Sequence, residues 1–305
     1  MVYRYALPLA LLIGASLPTS AQAQAARADV AFVDRAEALA LDESCHLFNA
    51  RERRSLEAGL RQASATLMRT GVRQSQLDEE LVRARRAAIR ADCNHPDIQA
   101  AAEHIRQAFA GYLTMRQWQF DGRVQSWTAD RNRLDLGGWA LYQTLPQAQA
   151  RFGLAFTDDG DGILLTGRTQ TQMTGAALVL RDTSRSQGPY DATAGGILQP
   201  PGGQVLASYG PPPQAQTRIW ASARMMGPLT AYPISENGEA PAPEAMPQVY
   251  SFRFPDDTLQ RLAGLDPREG VKVELYGQDG RRDQDIWLEV GELRAAIDFL
   301  DAAMN

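Results

Sequence analysis

Hydrophobic positions recur with a helical period through the first third of the chain and alternate through much of the rest. Leu56, Leu60, Ala63 and Leu67 step by four, three and four, which places them on one stripe of an α-helix. Gly71 follows as a helix stop, and Leu77, Leu81, Ala84 and Ala88 repeat the spacing, with Val82 and Ile89 widening the stripe. Ser75 and Asp78 have the spacing of a capping box. The two patterns predict an antiparallel helical hairpin with arms of similar length. Asp29 to Leu41 has a weaker period through Val30, Val33 and Ala36 or Ala40 and predicts a short helix, with residues 24–28 loose before it and a turn at Asp42 to Cys45 after it. After Cys93, Asn94 or His95 can cap a helix that opens on Pro96. Ile98, Ala101, Ala102, Ile105, Ala108, Phe109 and Tyr112 form its apolar face, which should pack on the hairpin to make a three- or four-helix bundle.

Beyond Met115 the period shortens. Trp118, Phe120, Val124 and Trp127 suggest short strands around Asp121-Gly122, and Trp139, Leu141, Phe152, Leu154 and Phe156 alternate as half-buried strands do. Further strands are expected at Ile163–Leu165, Ala176–Leu180, Gln204–Ser208, Val249–Phe254, Val271–Tyr276 and Ile286–Val290. A short helix runs through Leu259 and Leu262, and Glu292 to Ala303 closes the chain as a helix. Residues 184–215 and 232–247 are long Pro/Gly-rich loops. The fold class that follows is α+β: a disulfide-stapled helical bundle, then an antiparallel β-sandwich or barrel-like domain with a C-terminal helix. The domains expected are 24–117, the bundle, and 118–305, the β-rich part.

Cys45 and Cys93 are the only cysteines, and an antiparallel hairpin brings them together at its open end. A bridge there would stabilise the fold by about 4 kcal/mol in the chain-entropy model. The start of the chain supplies the oxidising compartment. Arg4, an apolar run from Ala6 to Leu17 and the small-x-small site Ala21-Gln22-Ala23 make residues 1–23 a cleavable signal peptide, too short for a membrane span. No cysteine sits beside the cleavage site for lipidation, and no transmembrane anchor is expected in the mature chain. The expected location is the periplasm. The net charge of −5 argues against a nucleic-acid partner. Lys272 is the only lysine among many arginines, a bias that composition alone explains.

No motif for a nucleophile, phosphate loop or cofactor is present, so no catalytic residue and no cofactor is assigned. His46 and His95 flank the two cysteines, and the four together could form a zinc set, but oxidising export favours a disulfide with exposed histidines. Thr157 to Gly162 looks like a calcium loop in part, but Arg168 falls where a bidentate Glu is needed, so a hairpin turn is the better reading. Trp118, Trp127, Trp139 and Tyr142 are candidate ligand or interface aromatics, although core packing would also explain them. Glu274 and Glu289 are the carboxylates that a polysaccharide hydrolase could use, and placement on solvent-facing strand positions is the plainer account of them.

The cysteine-stapled helices, the stretch from Cys93 through Ala108-Phe109-Ala110-Gly111-Tyr112, and Trp127-Thr128-Ala129-Asp130-Arg131 resemble exported bacterial proteins of unassigned function over residues 45–131. Such a family carries over no catalytic residue. The expectation is therefore an exported, non-enzymatic binding or interaction protein whose partner is an envelope protein or glycan. The alternative is a periplasmic hydrolase working through carboxylates.

Overall fold

The structure is a computed structural model that describes residues 21–157, 160–186, 205–225 and 248–304. The apolar run expected to belong to a signal peptide, most of the 184–215 loop, all of the 232–247 loop and part of the turn before Gly162 lie outside these residues. Four helices come first: α1 Ala21–Cys45, α2 Ala50–Arg69, α3 Gln74–Ala88 and α4 Pro96–Thr114. α1 is longer than its weak period predicts and takes in residues 24–28. Its buried stripe is Ala28, Phe32, Ala36 and Ala40, at steps of four, whereas Val30 is exposed.

The reversal after α1 falls at 46–49, later than expected, because Asp42 organises it. The buried Asp42 carboxylate accepts hydrogen bonds from Phe48 N at 2.8 Å and Arg53 Nε at 2.6 Å. Asn49 then caps α2 in a reciprocal box with Glu52. The box expected at Ser75 and Asp78 does not form. α3 starts at Gln74, and Gln76 accepts the Arg73 N–H instead. Cys45 and Cys93 are bonded, with Cα atoms 5.5 Å apart, and tie the end of α1 to the segment between α3 and α4.

α2 is buried on two sides. Leu56, Ala63, Leu67 and Met68 pack within the bundle, while the buried Thr66 lies on the side that meets the closing helix, its hydroxyl donating to Glu292. Val82 and Ile89 do not widen the α3 stripe; Ile89 is 77% exposed. α4 also departs from expectation. Ala102 is its one fully buried residue among those described, set against Ala38, Phe48 and Leu56, while Ala101 and Ala108 face solvent. The tight core of the bundle is thus α1–α3, and α4 leans on it.

The strands are β1 Gln117–Phe120, β2 Trp127–Asp130, β3 Gly138–Leu145, β4 Ala150–Phe156, β5 Gly162–Thr169, β6 Met173–Arg181, β7 Gln216–Trp220, β8 Ala223–Arg224, β9 Gln248–Phe254, β10 Gly270–Gly277 and β11 Arg282–Glu289. Short helices α5 Arg133–Leu136, α6 Val205–Ser208 and α7 Thr258–Ala263 interrupt them, and α8 Leu293–Met304 closes the chain. Of the strand expected at Gln204–Ser208, the described residues form the helix α6, whose Leu206 seats on β10 with its carbonyl so close to Gly270 that a Cβ there would lie 2.3 Å away.

Two antiparallel sheets result, one of seven strands in the order β1-β2-β3-β4-β5-β9-β8 and one of four in the order β11-β10-β6-β7. Phe152, Leu165 and Phe252 from the first and Leu178, Val273 and Leu288 from the second share one core with Leu293, Ala296 and Phe299 of α8. This is the two-layer arrangement that alternating inward residues dictate. α8 also docks the bundle. Glu292, just before it, accepts hydrogen bonds from Gln62, Thr66 and Arg69 of α2, and Asp298 accepts one from Arg61 at 2.7 Å. No helix of the described residues is long and apolar enough to cross a membrane.

Candidate functional site

The two candidate carboxylates are buried, not solvent-facing, at 1% exposure for Glu274 and 2% for Glu289. Glu289 ends β11 and turns its side chain into the β1–β2 connection. Its two oxygens accept the backbone N–H groups of Arg123, Val124 at 2.8 Å and Gln125 at 3.1 Å. Gly122 is required beside it, because an added Cβ would lie 2.1 Å from Gln125 O and 2.6 Å from the Glu289 carboxylate. Glu289 is therefore an anion that fixes a loop. Glu289→Gln, with one acceptor oxygen in place of two, is expected to cost about 2–3 kcal/mol, since hydrogen bonds to a charged group are the strong ones. Urea unfolding checks this; an unchanged midpoint would show that the loop holds without the charge.

Glu274 lies on the outer face of the four-stranded sheet. Direct pairing places Trp220, Ala177, Glu274 and Asp285 in one row across β7, β6, β10 and β11, and Arg218, Val179, Lys272 and Trp287 in the next. Around the carboxylate stand Lys272 Nζ at 2.8 Å, Arg218 Nε at 3.1 Å, Arg282 Nη1 at 3.2 Å and the Tyr276 hydroxyl, which donates at 2.8 Å. Burial alone would push this carboxyl up, but the hydrogen bonds from Arg218, Lys272 and Tyr276 outweigh it and hold it at about 2.

A group lowered from 4.5 to about 2 on folding contributes stability that is fully present above about pH 4.5 and is lost as pH falls towards 2. At neutral pH that contribution is about 3 kcal/mol. In Glu274→Gln the fall in stability across this acid window should be correspondingly shallower. Stability measured against pH for both proteins tests it, and parallel curves would remove Glu274 from the acid response.

The four candidate aromatics are not brought together. Trp118 is partly exposed on β1 beside Phe120, with ring centroids 6.4 Å apart. Trp127 is fully buried in the shared core and donates Nε1 to the Glu289 and Val290 carbonyls. Trp139 and Tyr142 pair at 6.3 Å in a separate small cluster with Ala155 and Leu164. Arg151 lies over Tyr142, 4.5 Å from its ring centroid. Another aromatic pair beside charged groups was not singled out from sequence. It is Trp220 and Tyr276, 5.2 Å apart, beside the cations of Glu274. Its signal was the alternation Arg218-Ile219-Trp220 and Lys272 to Tyr276, which sets those residues on one face of neighbouring strands.

Near Cys45 and Cys93 the disulfide occupies both sulfurs, so neither is a thiolate ligand. His95 caps α4, its Nδ1 accepting the Asp97 N–H at 3.3 Å. On α2 and α3, Arg53, Arg83 and Arg85 are ion-paired with Asp42, Glu80 and Glu43.

A cleft of about 460 Å³ opens between the bundle and the β part, lined in part by Arg61, Met68, Arg181, Arg268, Glu292 and Arg294. Its guanidinium groups are committed to carboxylates: Arg61 and Arg294 to Asp298, Arg181 to Glu269 and Arg268 to Asp266. The cleft thus has little charge to offer a ligand, unlike the outer sheet face, where Arg218, Lys272 and Arg282 surround one carboxylate. No family model, curated protein or solved structure significantly matches the chain.

Proposed function

We propose that this chain is an exported, non-enzymatic binding protein of the cell envelope, working in the periplasm. The observation that carries the reading is the outer face of the four-stranded sheet, where an exposed Trp220 packs on Tyr276 beside Arg218, Lys272 and Arg282. Aromatic surface next to a cluster in which cations outnumber carboxylates suits recognition. The disulfide and the sequence at the chain start support export. The hydrolase alternative loses support on its own residues. Glu274, held at about 2, is ionised at neutral pH and has no proton to donate as a general acid. Glu289 is engaged by three backbone amides.

The test is retention of envelope components on the immobilised, folded and oxidised protein, read by mass spectrometry and sugar analysis. A component retained by the parent and lost from a Trp220→Ala, Arg282→Gln double variant supports the reading. Retention that is the same on both proteins, or absent from both, overturns it.

A further inference from the structure

The outer sheet face narrows the ligand class. Three features meet there. First, Trp220 is 54% exposed although it is the largest side chain on β7, and its ring lies tilted by 36° against Tyr276. The central strand sets only Ala177 and Gly175 opposite Trp220 and Tyr276, so the two rings stand above small neighbours. Second, positive charge exceeds negative. Arg218, Lys272 and Arg282 all reach Glu274, and Asp285 approaches only Arg282, at 3.6 Å. Arg218 and Arg282 are each about half exposed, so part of each guanidinium faces water. Third, Arg218 and Trp220 are two residues apart on one strand, a spacing of about 7 Å.

We infer that this face binds an acidic saccharide, a chain of uronate-type sugars: the Trp220–Tyr276 pair takes the C–H face of a ring, and Arg218 and Arg282 take its carboxylate. The inference rests on the binding reading above and names its ligand. A neutral sugar would leave the excess cations unused, and a small free anion would leave the rings unused.

The experiment is calorimetric titration of the full oxidised chain with tetragalacturonate, with cellotetraose as the neutral control and acetate as the bare carboxylate. Two variants accompany it. Trp220→Ala removes an exposed ring, and Arg282→Gln leaves Glu274 with Arg218, Lys272 and Tyr276, so both should fold. Tetragalacturonate should bind at least about tenfold more tightly than cellotetraose or acetate, and each variant should weaken it by about tenfold or more, the scale of one charge-assisted contact. The affinity should also fall as salt is raised. Equal binding of acetate, or unchanged binding by Trp220→Ala, overturns the saccharide assignment. Absent tetragalacturonate binding with an envelope protein still retained as above overturns this inference alone. Failure of both experiments overturns the binding reading as well.

Discussion

Replacing Arg131 with alanine is expected to destabilise the protein by about 3–5 kcal/mol, on the scale of losing several hydrogen bonds to a buried charged group. Arg131 is 3% exposed and, among the described residues, has no carboxylate facing it. Its guanidinium instead donates to main-chain carbonyls of two helices. Nε and Nη2 reach Phe299 O at 3.0 and 2.7 Å, and Nη1 reaches Tyr112 O at 2.9 Å and Met115 O at 3.0 Å. The same group lies 3.6 Å from the Phe299 ring centroid and 5.0 Å from that of Tyr112. Arg131 therefore joins the C-terminal end of α4, where carbonyls lack helical partners, to α8. Alanine leaves a cavity and strands those carbonyls together. Lysine cannot span both sets with one ammonium, so Arg131→Lys should recover less than about half of the loss. Equilibrium urea unfolding of the three proteins decides it. A lysine variant as stable as the parent would mean that charge, not the planar fork, is what the site uses.

Reducing the disulfide, or replacing Cys45 and Cys93 with serine, should cost about 4 kcal/mol in the chain-entropy model, because the bridge closes a long loop. The sequence separation is 48 residues. The effect should be local as well as large. α4 has one fully buried side chain and follows directly from Cys93, so the bridge supplies much of what holds its start against the bundle. Hydrogen exchange on the serine variant should show protection lost first along α4 and the segment before it, with the strands of the two sheets unchanged. Uniform loss across the sheets would show instead that the bundle and the β part unfold as one unit.

Trp127 and Glu289 show how much of this fold local pattern carries. Trp127 falls in the stretch of shortened period after Met115, and it does open a strand. Glu289 sits in an apolar run that alternates, and it does end a strand. What alternation leaves open is what covers the outward position. The amides that bury Glu289 come from residues 123–125, more than half the chain away, and Arg218, which reaches Glu274, comes from β7, a different part of the sheet. A strand pattern reports two faces without saying which is solvated, so charged residues there read as solvent-facing although both are buried. α4 shows the converse: seven apolar positions share one face, and the space beside α1 and α2 takes only part of it.

The sequence by itself determined the α+β order, the helices on either side of Gly71, the proximity of Cys45 and Cys93, and the closing strand–helix run. Each follows from a short period, a cap or a turn, and so from residues near one another in the chain. Tertiary structure alone decided three further things: that Glu274 and Glu289 are interior anions, that Arg131 fastens α4 to α8, and that Trp220 meets Tyr276 among excess cations. These depend on which distant segments share a space, because the cost of an unpaired buried charge is met only by partners the chain brings back from afar.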